Sequence, residues 1–398
     1  MRKKVFFALL LCCASVTTKA QVLDVDRELA YCHQQVLRAL DGLKPYDYSR
    51  QPRNIERGEQ WNLRPGNGHE WCSGFWPGIL WMDYMVTGDK RVKLAARRYT
   101  EGLHAIVEKP IVDHDMGFLI NCSYGKGYEA THNEKYRRTL LRAGDSLATL
   151  FNPKVGTILS WPHQVKHYRG HNTIIDNMLN LDLLLWAAGH GGNPLLRDVA
   201  VVHATTTMRN HFRPDGSSYH VVVYDFEDGH FVRGVTHQGY NDGSMWARGQ
   251  SWAIYGFTVM SRYTHDAVFI QQATKAADIY LKRLRETSDD WVPLWDMDAP
   301  REEATPKDAS AACVTASALL ELSGYVDGAK RNEYRQAATN ILTDLSNRYQ
   351  SRDRNVAFLL HATGNKPANS EVDVSLIYAD YYYLEALMRL KALQTAGK

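Results

Sequence analysis

Two aspartates lie in parts of the sequence that are otherwise apolar. Asp115 falls within "VDHDMGFLINCSYG" (112–125), and Asp176 falls within "NTIIDNMLNLDLLLWAAGH" (172–190), a stretch too apolar to face water. Burial raises the pKa of a carboxyl group towards neutrality, which is what a general acid working at pH 7 requires. Two such acids on separate helices, each beside aromatic residues, are typical of proteins that cleave glycosidic bonds.

Each aspartate also has a purely structural interpretation. Asn172 or Thr173 could begin the second helix, which would place Asp176 in its first turn, where backbone N–H groups stabilise a carboxylate. Asp115 directly precedes Met116 and could cap a helix in the same way. The residues alone leave both interpretations open.

Several aromatic and polar residues are candidates for the same pocket. Trp161 lies in "LSWPHQ", an unusual setting for a core tryptophan and a suitable one for stacking on a sugar ring. Arg248 begins an apolar helical segment and needs an anionic partner, either an aspartate of the site or a substrate carboxylate. Trp252, one turn further on, is interpreted first as a core residue and second as a pocket residue. His220 and Gln238 are pocket candidates whose alternative is a plain surface position.

The sequence predicts no metal site and no cofactor. His163, His167 and His171 recur at four-residue spacing, but Pro162 and Gly170 interrupt the helix that would bring them to one face. The HExxH and CxxC signatures are missing from the sequence. We therefore expect chemistry performed by side chains alone.

The first twenty residues have the form of a secretory signal peptide. A basic start (1–4) precedes an apolar run (5–13), and small residues precede Gln21. The apolar run is too short to span a membrane. We expect an exported mature chain, periplasmic in a Gram-negative source.

Composition narrows the partners of the mature chain. The formal charge of the full sequence, +3, is mild and basic residues alternate with acidic ones, so a nucleic-acid partner is not expected, and neither is a membrane partner. The 10 Trp and 22 Tyr instead favour a protein that handles carbohydrate, because sugar faces stack on aromatic rings. The four scattered cysteines beyond the leader are expected to be free and buried. The oligomeric state does not follow from the sequence.

Helical periodicity extends along the whole mature chain. Segments such as 174–189 and 246–263 are apolar or small nearly all round, whereas those that follow them, 194–211 and 266–286, carry charge on one face. Apolar residues recur at three- and four-residue spacing in 24–42, 74–87, 89–107, 116–129, 132–151, 174–189, 194–211, 246–263, 266–286, 308–323, 331–349 and 372–393.

Buried and amphipathic helices that alternate about six times predict an all-α, closed (α/α)6 barrel, with residues 21–398 as a single domain. The region 211–244 lacks helical periodicity. Its residue pattern alternates as in β-strands, with turns at "PDG" and "EDG", and predicts a small β-hairpin insertion near the pocket rim. The segment 44–72 is predicted to be an extended loop.

Five segments in order resemble the unsaturated glucuronyl hydrolases of glycoside hydrolase family 88, and the resemblance covers essentially the whole mature chain. It implies an (α/α)6 barrel that removes a 4,5-unsaturated uronic acid from the non-reducing end of oligosaccharides made by polysaccharide lyases. The segments are "CSGFWPGILWMDY" (72–84), "DHDMGF" (113–118), "IIDNMLNLDLLLWA" (174–187), "HQGYNDGSMWARGQSWAIYGF" (237–257) and "VDVSLIYADYYYLEAL" (372–387).

The resemblance also implies roles for individual residues. Asp176 matches the general acid/base of the family, Asp115 matches its second required aspartate, and Trp161 matches its sugar-stacking tryptophan. The remaining pocket residues implied are Trp71, His114, His220, Gln238 and Arg248.

The downstream sugar is the least determined part of the substrate. In "LLHATGNKPANSEVD" (359–373), Lys366 could receive a sulfate or carboxylate, or be a solvated loop lysine. Sulfated glycosaminoglycan disaccharides are the expected substrates. The alternatives are an unsaturated rhamnogalacturonyl hydrolase acting on pectin fragments, an inverting glycosidase for saturated chains, and a glycan-binding protein without activity.

Overall fold

The computed structural model describes residues 23–396, so the predicted signal peptide (1–20) lies outside the described residues. Helices dominate this part of the chain. In chain order they are α1 (Val25–Gly42), α2 (Phe75–Thr87), α3 (Lys90–Glu101), α4 (Lys126–Thr131), α5 (Glu134–Ala148), α6 (Val165–Tyr168), α7 (Asn177–Gly189), α8 (Leu195–Asn210), α9 (Ala247–Thr264), α10 (Ala267–Thr287), α11 (Ala309–Leu322), α12 (Gly328–Asp344) and α13 (Ile377–Ala396). A π-helix (Gly117–Gly125) runs directly into α4, and a second one (Leu345–Tyr349) follows α12.

Six helical segments form a closed inner ring. Around it, α2 contacts the π-helix Gly117–Gly125, which contacts α7, and α9, α11 and α13 follow before α13 returns to α2. Outside the ring lie α1, α3, α5, α8, α10 and α12, each packed against inner segments. The predicted (α/α)6 barrel is confirmed.

The burial of each helix explains this division. In α9 every residue from Ala247 to Ser261 is buried, because small and apolar residues occur on all its sides. In α3, buried residues recur at three- and four-residue spacing from Val92 to Tyr99, and charged residues occupy the other face. Inner and outer positions therefore follow from the sequence pattern of each helix.

The turn between α2 and α3 shows how short connections reverse the chain. Gly88 adopts a left-handed conformation (φ 72°), and its N–H donates to the Tyr84 carbonyl, which ends α2. Asp89 then begins α3, and its side chain accepts from the N–H groups of Arg91 and Val92. Helix-ending and helix-starting residues side by side make the two helices antiparallel neighbours.

Three small sheets accompany the ring, in the strand orders β2-β1-β8, β3-β4 and β5-β6-β7. The hairpin predicted within 211–244 is confirmed as β6 and β7, with β5 as a third strand. The extended loop predicted over 44–72 was wrong, because β1 and β2 form a hairpin whose other edge pairs with the distant β8. The strands are β1 (Arg50–Ile55), β2 (Asn62–Pro65), β3 (Phe151–Asn152), β4 (Thr157–Ile158), β5 (His171–Ile174), β6 (Val221–Tyr224), β7 (Phe231–Val235) and β8 (Ser375–Leu376).

One hydrophobic core connects residues from Leu23 to Leu390. The single catalytic domain over 21–398 stays a prediction. Within residues 23–396, no helix is both long enough and apolar enough to cross a membrane. The four cysteines within residues 23–396 are buried free thiols, as predicted: Cys32, Cys72, Cys122 and Cys313.

The inner segments all run in one direction, so the ring has two different ends. At one end the Trp71 ring lies 5.3 Å from Phe118 and 4.9 Å from Tyr378, at the starts of three segments. At the other end, beside a cavity of about 510 Å³, Glu321 accepts from Arg262 (2.6 Å) and pairs with Arg389 (2.7 Å), close to the ends of three helices. Arg262, in the last turn of α9, faces the partial negative charge of that helix C-terminus.

We expect Glu321→Gln to weaken the fold. Burial alone would raise the pKa of Glu321, but the charges of Arg389 and Arg262 lower it to about 2. This stabilisation is fully present above pH ~4.5 and is lost as the pH falls towards 2. The variant, with both guanidinium groups deprived of this carboxylate, should lose about 2–4 kcal/mol in the free energy of urea unfolding at pH 7. The difference from the wild type should shrink on acidification; a constant difference would contradict the pairing.

Candidate active site

The opposite end of the ring, where the inner segments begin, holds both predicted aspartates. Asp176 directly precedes α7, but its side chain caps no N–H of that helix, and its Oδ2 has no hydrogen-bond partner within residues 23–396. Asp115 precedes the π-helix, which also lacks a side-chain cap. It is Asp113 Oδ1 that accepts the N–H of Asp115, at 3.1 Å. The capping interpretation therefore fails for both residues.

Burial raises the pKa values of both carboxyl groups towards neutrality. Burial, followed by the charge of Asp176, raises the pKa of Asp115 to about 8. Burial raises the pKa of Asp176 to about 7, against the charge of Arg248, which lowers it. Because the charge of Asp176 acts on Asp115, the two carboxyl groups lie near one another.

A neutral histidine faces each aspartate. His220 Nε2 lies 3.6 Å from Asp176 Oδ2, and His114 Nε2 lies 3.5 Å from Asp115 Oδ1. Burial lowers the pKa of His114 to about 4 and that of His220 well below its usual range, so both imidazoles are uncharged at pH 7. The Nδ1 atom of His220 accepts the backbone N–H groups of His237 and Gln238, each at 3.2 Å, so its Nε2 carries the proton.

Trp161 lies between these two histidines. Its ring centre is 6.5 Å from that of His114 and 6.0 Å from that of His220. Its backbone N–H donates to Asn172 Oδ1 (2.9 Å), and Tyr168 packs nearly parallel to the indole at 6.1 Å. The indole is half-buried and is fixed by these two contacts, so it is placed to stack on a sugar ring that reaches both aspartates.

Trp71 forms a neighbouring wall with Phe118 and Tyr378. The guanidinium of Arg53 lies 5.8 Å from the centre of its ring and donates twice to Glu371, at 2.8 Å. The charge of Arg53 also lowers the pKa of Asp115, which places this wall beside the second aspartate. Sequence reasoning missed Arg53, because its partner Glu371 lies more than three hundred residues away.

Arg248 has an anionic partner within the protein. It is buried, and Nη1 donates to Asp308 Oδ2 and to the Thr363 carbonyl, both at 2.6 Å, while Nη2 donates to the Gly364 carbonyl at 2.6 Å. Of the partners left open by the sequence, an aspartate is the one found. The buried guanidinium joins the starts of α9 and α11 to the loop before β8 and contributes positive charge beside Asp176.

The other predicted pocket residues differ in their surroundings. Trp252 is fully buried, as expected of a core residue, yet its indole N–H is near enough to Asp176 to lower the pKa of that carboxyl. Gln238 is half-buried and meets His220 through its backbone. Lys366 lines a separate cavity of about 500 Å³ with Lys307, so the structure does not bring it to the aspartates, and its role stays a prediction.

Polar atoms without partners gather around the aspartates. Within residues 23–396, the buried side-chain atoms that form no hydrogen bond include Asp176 Oδ2, His114 Nε2, His220 Nε2, Trp252 Nε1 and Asn177 Oδ1. Such atoms are rare in folded proteins, and several in one place indicate a site that binds a polar ligand. At the opposite end of the ring, by contrast, guanidinium and carboxylate groups are paired with one another.

Comparison with known proteins agrees with this geometry. Residues 48–392 match the profile of Glycosyl Hydrolase Family 88. The chain belongs to this family.

Named relatives of this family 88 glycoside hydrolase are similar over most of their length. An unsaturated glucuronyl hydrolase from Formosa agariphila is 40% identical over 328 residues, which cover 81% of this chain and 80% of the relative. The crystal structure of an unsaturated glucuronyl hydrolase specific for heparin is 38% identical, with a TM-score of 0.86, covering 93% of this chain and 98% of its own. That of the Bacillus sp. GL1 enzyme, responsible for the degradation of glycosaminoglycan, is 34% identical, with a TM-score of 0.86 and coverages of 92% and 97%.

Two features of the family 88 site were not expected from the sequence. Asn180, one turn after Asp176 on α7, contacts His114 and Phe118, and its four-residue spacing from Asp176 was the available signal. Asp308 begins α11 and holds Arg248. The three spaced histidines do not converge on a metal site, since His171 is buried in β5 against Thr157 Oγ1 at 2.9 Å.

Removal of the Asp176 charge should lower the pKa of Asp115. In Asp176→Asn we expect a fall on the order of one pH unit, because one like charge no longer opposes ionisation. NMR titration of ¹³C-labelled aspartate would measure it. The control is Asp145→Asn, the same change at an exposed position of α5, which should leave the Asp115 resonance unchanged. An unaltered pKa in Asp176→Asn would show that the carboxyl groups do not interact.

Proposed function

We propose that this family 88 glycoside hydrolase removes a 4,5-unsaturated uronic acid from the non-reducing end of oligosaccharides made by polysaccharide lyases. The observation that carries the proposal is the pair Asp115 and Asp176, the first buried and the second with its side chain 14% exposed. Their pKa values are raised to neutrality or above, and they lie beside the half-buried Trp161. The relatives, named unsaturated glucuronyl hydrolases, support the same substrate group.

Asp176 is the proton donor in this proposal. With a pKa of about 7, it is protonated in a large fraction of molecules at neutral pH. The substrate carries a vinyl ether between its fourth and fifth carbons. The electron pair of the double bond takes the proton at the fourth carbon, and the positive charge left on the fifth carbon is shared with the ring oxygen. General acid catalysis of this kind contributes about 10²–10⁴ in rate.

The same residue then acts as the base. The Asp176 carboxylate removes a proton from a water molecule as its oxygen bonds to the fifth carbon, which restores the protonated acid. The hemiketal so formed opens at the ring oxygen, and the hemiacetal left at the first carbon expels the downstream sugar. One water is consumed and no covalent enzyme intermediate is needed. Asp115 helps by repulsion, because the charge interaction is reciprocal and favours a proton on the pair.

The substrate we favour is a sulfated glycosaminoglycan disaccharide. The relative specific for heparin and the Bacillus relative responsible for glycosaminoglycan degradation support this class over pectin fragments. The aromatic rings of Trp71 and Trp161 suit the uronic ring. Lys366, in its separate cavity, lies outside the immediate surroundings of that ring.

A substrate panel tests this function. Purified protein should abolish the ultraviolet absorbance of unsaturated disaccharides from heparin and chondroitin, because hydration removes the conjugated double bond. Saturated chains of the same sugars should stay intact, and an unsaturated rhamnogalacturonan disaccharide should react more slowly. Cleavage of saturated chains would refute vinyl ether hydration, and preference for the pectin fragment would refute the substrate class.

Asp176→Asn is the matched negative control for this panel. It should lower kcat by about 10²–10⁴ while the circular dichroism spectrum stays that of the wild type. Asp145→Asn, with the same loss of charge, should retain the wild-type rate. Full turnover by a folded Asp176→Asn protein would remove the residue from the proposed chemistry.

We also propose that residues 1–20 direct export to the periplasm. The basic start followed by the apolar run supports this proposal. Alkaline phosphatase, which needs an oxidising compartment, should become active in Escherichia coli when fused behind residues 1–20. Leu9→Arg, which interrupts the apolar run, should abolish that activity. An active Leu9→Arg fusion, or an inactive wild-type one, would contradict export.

A further inference from the structure

Asn180 connects the helix that follows Asp176 to the chain around Asp115. It lies on α7, one helical turn after Asp176, and is fully buried. Its Oδ1 accepts the backbone N–H of Phe118 at 3.1 Å, at the start of the π-helix that follows Asp115. Its Nδ2 lies 3.2 Å from His114 Nδ1. One amide group thus holds the chain on both sides of Asp115.

The contact with Phe118 decides how this amide is oriented. A backbone N–H only donates, so the atom facing it is the amide oxygen, and the NH₂ group faces His114. The NH₂ group only donates, so His114 Nδ1 accepts and bears no proton. Since burial keeps this imidazole neutral, its proton resides on Nε2, 3.5 Å from Asp115 Oδ1.

Close backbone packing makes this arrangement rigid. A Cβ atom on Gly117 would lie 2.7 Å from the Cα of Asn180, so the glycine allows the π-helix to lie directly against α7. Asp176 and Asn180 belong to the same face of α7. A shift of α7 therefore moves the first aspartate and the support of the second together.

We propose that Asn180 is a positioning residue that fixes the tautomer of His114, so that an N–H donor always faces the carboxyl group of Asp115. His220 has the same tautomer opposite Asp176, but there backbone N–H groups of His237 and Gln238 impose it. A neutral Nε2–H group thus faces each aspartate. Of the two histidines, only His114 has its tautomer fixed by a side chain, Asn180, which can be replaced by mutation. The inference deepens the proposed function, but the tautomer can be observed without any substrate.

Asn180→Asp tests whether Asn180 fixes the tautomer of His114, and it changes the shape of the side chain very little. The carboxylate retains an acceptor for the Phe118 N–H but offers His114 no donor, so the imidazole proton should move to Nδ1. Long-range ¹H–¹⁵N spectra of ¹⁵N-histidine-labelled protein distinguish the two tautomers, and His114→Gln assigns the signal. We expect Nε2–H in the wild type and Nδ1–H, or a doubly protonated ring, in Asn180→Asp. The same tautomer in both proteins would overturn the proposal.

Kinetics provide the second measurement. Because Asn180 contacts His114 and also lowers the pKa of Asp115, Asn180→Asp should lower kcat by about 10–100-fold and change KM much less. Ser123→Ala is the control: its hydroxyl, on the same π-helix, bonds the carbonyls of Leu119 (2.6 Å) and Ile120 (3.3 Å) away from the aspartates. It should keep both the tautomer and kcat.

The measurements separate this inference from the proposed function. If Asn180→Asp does not fold, the spectrum of the wild type alone tests the proposal. A proton on His114 Nδ1 in the wild type would refute the proposed role of Asn180. If the tautomer behaves as expected but no unsaturated sugar is consumed, the positioning role stands and the proposed substrate fails.

Discussion

The site depends on a single constraint, the removal of two neighbouring carboxyl groups from most of their contact with water. Burial raises the pKa values of Asp115 and Asp176, and the charge of Asp176 acts on Asp115. Cationic groups nearby lower these values only in part, because Arg53 and Arg248 are themselves neutralised by Glu371 and by an aspartate of α11. The site of Asp115 and Asp176 can therefore hold protonated carboxyl groups at neutral pH.

The closed ring explains how such a site can exist in a stable protein. All six inner segments begin at the same end, so their first turns bring together residues distant in sequence, whereas their last turns meet at the far end in paired ions. Five of the buried polar atoms that have no partner within residues 23–396 lie around the aspartates at the first end. The stability lost by leaving these atoms unpaired is offset by the extensive core of the remaining ring.

Neutral donors, rather than cations, lie next to the carboxyl oxygens. The imidazoles of His114 and His220 face the carboxyl groups at 3.5 and 3.6 Å without adding charge, so they do not depress the pKa values of these groups as a lysine would. The half-buried indole of Trp161 links the two halves of the site. This combination suits a reaction in which one acid gives and regains a proton while a sugar ring stays in place.

The sequence by itself determined the helices, their inner and outer positions, and the residue types for acid–base chemistry. Periodicity is a local property, so it placed α9 and α3 correctly, and the apolar surroundings of Asp176 indicated its burial. Tertiary structure alone decided which charge neutralises Arg248, that β1 and β2 form a hairpin paired with β8, and that Asn180 contacts His114 and Phe118 on either side of Asp115. These facts depend on contacts between residues 60 to more than 300 positions apart, and no local pattern records such contacts. The residues of the site therefore come together only in the closed ring.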